Sequence, residues 1–87
     1  SLAMVDFWAT WCGPCKMLAP AIESIGGKYG DKAVIAKVDV DANPGLAAKY
    51  GVMSIPTVIF FKDGKEIDRK VGVQPADVYT KTLDANL

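Results

Sequence analysis

The sequence predicts an α/β fold: a mixed four-stranded sheet with helices on both faces, in the element order β-α-β-α-β-β-α. Three observations carry this. Residues Leu2 to Ala9 form a short apolar run broken only by Asp6, the pattern of a strand covered on both sides. A helical repeat follows, with Met17, Leu18, Ala21, Ile22 and Ile25 at helical spacing. Two later strand-like runs, 57–62 and 65–71, are joined by Asp63-Gly64, a hairpin signal that makes them antiparallel neighbours.

Each element has its own local reasons. The first helix runs from Cys12 to about Tyr29; Pro14 suits its first turn, Pro20 should kink it, and Gly30-Asp31 ends it. Val34 to Val40 alternates as a second strand, with Lys37 on it. Asn43 is placed to cap a short helix from Pro44 to Tyr50, with Leu46, Ala47 and Tyr50 toward the sheet. In the hairpin's second strand, Ile67, Arg69 and Val71 mark alternate positions. The final helix spans Pro75 to Leu87, with Gln74 near its cap and Val78, Leu83 and Leu87 inward.

Composition narrows the function. A chain of 87 residues is one domain, 1–87, and 51% hydrophobic residues support a modest core. Lys+Arg and Asp+Glu number 10 each, so no charge excess favours nucleic acid or an anionic membrane. No apolar run approaches the roughly 18 residues of a membrane helix. Ser1-Leu2-Ala3 reads as a processed start, compatible with a removed signal peptide. Two cysteines at this spacing fit a reducing compartment, hence the cytoplasm, better than a disulfide scaffold.

Those cysteines carry the chemistry. Cys12 and Cys15 share a face of a helix's first turn, so their sulfurs can come within disulfide range with little backbone movement. The helix N-terminus favours thiolate over thiol, which makes Cys12 a nucleophile. Cys15, one turn further in, should be less exposed and should resolve a mixed disulfide. A structural disulfide, half of a zinc site and two inert core thiols are the alternatives. So short a loop gains little from a structural bridge. With no His and no further Cys, zinc would need a second chain, so no metal is expected. Inert thiols leave the Gly13-Pro14 spacer unexplained. Asp6 is either turned to water at a strand edge or buried as a general base with a raised pKa. Lys37 is either a solvated edge charge or a neighbour of Asp6.

The run Trp11-Cys12-Gly13-Pro14-Cys15-Lys16 after an apolar strand resembles the active-site motif of the thioredoxin family. The similarity continues through Pro20, Lys37-Val38-Asp39-Val40-Asp41, Tyr50-Gly51-Val52, Ser54-Ile55-Pro56-Thr57, Phe61-Lys62-Asp63-Gly64 and Val71-Gly72. The resemblance implies a thioredoxin fold, a three-layer α/β/α sandwich, with strands ordered 34–40, 3–9, 57–62, 65–71. Thioredoxins usually begin one strand and one helix earlier, so an exposed edge is expected at Val34–Val40, open to pairing with a second copy as a homodimer.

The resemblance also implies roles. Asp6 would be the buried base that takes the proton of Cys15, and Lys37 would tune it. Pro56 would be cis against the cysteine pair, against the ordinary preference for trans. It would discourage metal binding while the Ile55 backbone pairs with an extended substrate. Trp11, Gly13, Pro14, Ile55, Pro56, Val71, Gly72 and Val73 would form the docking surface. The expected activity is reduction of protein disulfides through a reversible Cys12–Cys15 pair. No cofactor is expected, and a thioredoxin reductase would supply electrons. The competing readings are a disulfide oxidant or isomerase, disfavoured by Pro14, and a non-catalytic binding module, disfavoured by the intact cysteines.

Overall fold

A computed structural model describes all 87 residues, Ser1–Leu87. Its elements are β1 (Leu2–Trp8), α1 (Gly13–Tyr29), β2 (Val34–Asp39), α2 (Pro44–Lys49), β3 (Thr57–Lys62), β4 (Lys65–Val71) and α3 (Ala76–Asn86). The sheet order is β2-β1-β3-β4. β1 pairs parallel with β2 and antiparallel with β3, and β3 pairs antiparallel with β4. The predicted order and strand directions are those observed.

Alternation along the strands sorts the core into two faces. Leu2, Met4, Val58 and Phe60 meet Leu18, Ile22, Ile25 and Tyr29 of α1 and Tyr79 and Leu83 of α3. Val5, Phe7 and Phe61 take the opposite face, where the Tyr50 ring lies 6.4 Å from Phe7 and 5.2 Å from Phe61. Helices on both faces make the three layers. The six-residue α2 covers its face only in part. A groove of about 270 Å³ stays open there, bordered by Val5, Phe7, Val38, Leu46, Tyr50 and Phe61. Leu46 therefore borders the sheet but remains exposed.

Several side chains differ from expectation. The buried stripe of α1 is Cys15, Leu18, Ile22, Ile25 and Tyr29, spaced by three or four. Met17 lies one residue off that stripe and is 75% exposed. In α3, Tyr79 and Leu83 face inward at i and i+4, while Val78 is half-buried and Leu87 exposed. Tyr79 fixes the rotation: its hydroxyl accepts from the Gln74 N–H and donates to the Gly72 carbonyl. Gln74 does not cap α3; its side chain donates to the Val71 carbonyl, and Pro75 holds the N-cap position. Asn43 holds the N-cap position of α2 without a side-chain cap bond; its amide donates to the Asp39 carbonyl. Ile67 and Val71 stay exposed on β4, an outer strand.

The punctuation behaves as read. Asp63 and Gly64 both have positive φ, 52° and 82°, as the tight hairpin requires. Gly30 ends α1 at φ 54°, its N–H donating to the Gly26 carbonyl. β2 lies at the sheet edge with Val34 exposed. No helix is long and apolar enough to cross a membrane.

The rotation of α3 has a measurable consequence. Leu83→Ala should destabilise the domain by about 2–5 kcal/mol, and Val78→Ala by clearly less, in urea titrations. Equal losses would contradict the packing.

Candidate active site at the Cys12–Cys15 corner

The site is built where β1 turns into α1. The Cys12 N–H donates to the Ala9 carbonyl at 3.2 Å, closing the corner. Cys12 keeps an extended backbone at the N-cap, and its Sγ accepts the Cys15 N–H at 3.2 Å. A side-chain acceptor there satisfies one of the unpaired donors of a helix start. Cys12 and Cys15 are joined as a disulfide with their Cα atoms 5.3 Å apart. In this oxidised pair both residues are buried, Cys12 at 4% and Cys15 at 3% exposure, so accessibility barely separates them. What distinguishes it is position: its sulfur lies 3.9 Å from the Ile55 carbonyl oxygen, at the rim, with Gly13 and Pro14 exposed beside it.

A second loop faces this corner. The Ile55–Pro56 peptide is cis. Pro56 is buried, and its carbonyl accepts the Gly72 N–H at 2.8 Å. Gly72 has φ 81°, which explains the glycine. Thr57 ties the loop from the other side, its hydroxyl donating to the Ser54 carbonyl at 2.6 Å. The Ile55 N–H and carbonyl make no backbone hydrogen bond, so a short extended edge is free beside the disulfide. Val71 and Val73 are exposed where β4 ends. Pro56 itself lies beneath this surface rather than on it.

Beside the loop opens an apolar groove of about 330 Å³, lined by Trp11, Val40, Val52, Met53, Ser54 and Ile55. Trp11 is 68% exposed and Met53 97% exposed. The Trp11 indole N–H donates to Asp41 Oδ2 at 2.7 Å. Sequence reasoning missed Val40, Asp41, Val52, Met53 and Ser54 as neighbours of the site. Only Asp41 carried a signal, as an acid in a turn beside an exposed tryptophan that needs an acceptor.

Asp6 continues the Leu2–Met4 row, so it faces the α1 and α3 side of the sheet. It is 1% exposed, and neither carboxylate oxygen has a hydrogen-bond partner. The reading as a water-facing edge acid is thus excluded. Burial pushes its pKa up to about 6, and the Lys37 charge opposes this in part. Lys37 sits opposite Asp6 in the β1–β2 register. It is exposed, makes no ion pair with Asp6, and places its Nζ 4.9 Å from the centre of the Trp8 ring. The Asp6 charge also reaches the Tyr79 phenol on α3, whose pKa is raised chiefly by burial.

The sign of the Asp6 effect follows. The unfolded carboxyl loses its proton near 3.8, the folded one near 6. Between these values the folded state binds more protons, so rising pH costs stability. Relative to Asp6→Asn, the oxidised protein should lose about 2–3 kcal/mol between about pH 4 and 7. Denaturant titrations across that range check it; parallel curves for the two proteins would contradict it.

With this geometry in hand, comparison with known proteins is direct. The family model described as Thioredoxin matches residues 1–85. A thioredoxin of Staphylococcus epidermidis is 60% identical over 84 residues, 97% of this chain and 81% of that protein. One from Staphylococcus aureus is 58% identical over the same shares. Among solved structures, a glutamine-for-asparagine mutant thioredoxin from Halobacterium salinarum NRC-1 superposes with a TM-score of 0.88 at 39% identity, covering 97% of this chain and 73% of that one. A paired Cys-Gly-Pro-Cys corner, a cis-proline loop against it and relatives this similar have one meaning: the chain belongs to the thioredoxin family of thiol–disulfide oxidoreductases, which reduce protein disulfides.

Proposed function

We propose that Cys12 is the attacking thiolate, Cys15 the resolving thiol and Asp6 the base of a protein disulfide reductase. One observation carries this: the Cys12 sulfur accepts a backbone N–H at a helix start beside a free backbone edge. In the reduced pair the same donor stabilises the Cys12 thiolate. That thiolate attacks one sulfur of a substrate disulfide, whose S–S bond breaks, and the first substrate thiol leaves with a proton. Cys15 then gives its proton to Asp6 and attacks Cys12. The mixed disulfide breaks, the second substrate sulfur leaves and is protonated, and two electrons have passed from the pair to the substrate. The disulfide observed is the product of that cycle.

Asp6 suits the part. With a pKa of about 6 it is mostly ionised near pH 7, yet basic enough to accept a proton. Lys37 keeps that value from rising further. The Gly13-Pro14 spacer adds no cation beside the thiolate, which favours a reducing pair over an oxidising one. Trp11, Gly13, Pro14, Ile55, Val71, Gly72 and Val73 are the residues we assign to the substrate surface, over buried Pro56. A thioredoxin reductase is the inferred electron source and the cytoplasm the inferred location. The free outer edge of β2 supports pairing with a second copy; a monomer at high concentration in sedimentation would exclude it.

Insulin reduction tests the roles. Cys12→Ser should abolish turnover, and Cys15→Ser should accumulate a mixed disulfide visible on non-reducing gels. The resolving rate should rise with pH through about 6 as Asp6 ionises, and Asp6→Asn should slow it at least about tenfold and flatten that profile. Full activity in Cys12→Ser would end the proposal. Redox titration against glutathione, read from Trp8 and Trp11 fluorescence, should give a midpoint more reducing than the glutathione couple. A midpoint at or above that couple would favour the oxidant or isomerase reading.

A further inference from the structure

Tyr79 is the largest fully buried side chain of the domain, and the thiol exchange makes no use of it. Its ring is set in the core with Met4, Phe60 and Leu83, its centroid 6.5 Å from that of the Phe60 ring. A ring held by packing fixes where its hydroxyl oxygen sits, because that oxygen lies on the ring axis. The hydroxyl reaches the loop 72–75 between β4 and α3. There it accepts the Gln74 N–H at 3.2 Å and donates to the Gly72 carbonyl at 3.4 Å. Neither of these two groups makes a backbone hydrogen bond. Burial raises the phenol pKa above the ordinary 10.0, and the Asp6 charge adds to this, so the donor proton stays in place through neutral pH.

Gly72 is held on both sides of its Cα. Its carbonyl takes the Tyr79 hydroxyl, and its N–H donates to the Pro56 carbonyl at 2.8 Å. With φ 81° it turns the chain between these two bonds. Pro56 shares the cis peptide with Ile55, whose own N–H and carbonyl make no backbone hydrogen bond. A line of contacts thus runs from the core ring through Gly72 and Pro56 to the free edge beside the disulfide. Val73, exposed between Gly72 and Gln74, is bracketed by the two bonds of the same hydroxyl. The Gln74 side chain adds a tie to the Val71 carbonyl, but that bond is exposed.

We propose that Tyr79 is a positioning residue for substrate: its buried hydroxyl sets the Gly72–Val73 turn and, through Gly72 and Pro56, the placement of the Ile55 edge that receives the polypeptide flanking a substrate disulfide. This rests on the reading of Ile55, Gly72 and Val73 as substrate surface. Tyr79 packs in a different cluster from Cys12 and Cys15, so it acts on binding and not on the thiol exchange itself. An edge ordered in advance spares the complex the ordering of a loop, which reads as affinity. A small disulfide with no flanking polypeptide gains nothing from that edge. The hydroxyl therefore matters for one class of substrate and is silent for the other.

The test compares Tyr79→Phe with the parent on two substrates, insulin and bis(2-hydroxyethyl) disulfide. Phenylalanine keeps the core ring and removes only the hydroxyl. Tyr79→Phe should raise the insulin KM about fivefold, within the range of one neutral hydrogen bond, with kcat and the small-disulfide rate each changed less than about twofold. Amide exchange followed by NMR should show the Gln74 N–H less protected in Tyr79→Phe. Val78→Ala removes apolar packing from the same turn of α3 and no loop bond, and should leave the ratio of the two activities unchanged. An insulin KM within about twofold of the parent, equal losses on both substrates, a loss confined to kcat, or unchanged Gln74 exchange would overturn the proposal. So would the same selective loss in Val78→Ala, which would assign the effect to helix stability. If the parent reduced neither substrate, the reductase reading would fail and the proposal with it. If the parent reduced both, absence of the selective loss would count against Tyr79 alone.

Discussion

One hydrogen bond joins the chemistry of this protein to its fold: the N–H of Cys15 directed at the sulfur of Cys12. A helix start has unpaired N–H groups that ordinarily take a Ser, Thr, Asp or Asn oxygen. Here a cysteine sulfur fills that place, and a nucleophilic thiolate needs the same donor. The bond exists only if the corner is held on both sides. β1 anchors one side, paired to strands on either flank; the buried stripe of α1 anchors the other. The free edge at Ile55 arrives beside the pair because β3, which follows that loop, is the antiparallel neighbour of β1.

The second constraint is Asp6. A carboxyl with no hydrogen-bond partner on the closed side of the sheet is a net cost above its folded pKa. Set against a typical domain stability of about 5–15 kcal/mol, a cost of about 2–3 kcal/mol is a sizeable fraction. Lys37 offsets part of it through space, yet its amine stays at the surface against the Trp8 ring. A direct ion pair would pull the Asp6 pKa back down and remove the proton acceptor. The geometry thus leaves Asp6 disfavoured as an ion but ionisable, the state a base near neutral pH requires.

The strands, the hairpin and the cysteine corner were legible because each is local. Apolar runs, a Gly-Pro spacer and an Asp-Gly pair act over a few residues. The cis peptide came from the family resemblance; residue chemistry by itself points to trans. Helix rotation was less legible. Met17 and Leu18 are both apolar neighbours, as are Val78 and Tyr79, and periodicity alone does not choose between them. In α3 the choice is made by the Tyr79 hydroxyl, which finds partners at Gly72 and Gln74. Asn43 takes the N-cap position of α2 as read, but its side chain makes no cap bond and its amide donates back to the Asp39 carbonyl, a contact that spacing does not announce. Trp11 and Asp41 were both visible in the motif, but their contact spans two chain reversals.

The two faces of the sheet are unequally covered, and the inequality bears on the site. The closed face carries α1, α3, Asp6 and the larger core cluster. The opposite face carries only α2 and keeps its apolar groove. The residues that set cysteine geometry, Ala9, Cys12 and Cys15 with Trp8, Val40 and Ile55, pack as a separate small cluster at the end of the strands. None of them borders the open groove. Phe7 is the link, since it follows Asp6 on β1 and packs toward Tyr50 on the open side. Covering or loosening the open face should therefore act first on global stability through Phe7 and Phe61. It reaches the cysteine corner only as far as β1 itself shifts, because packed elements transmit strain through contact.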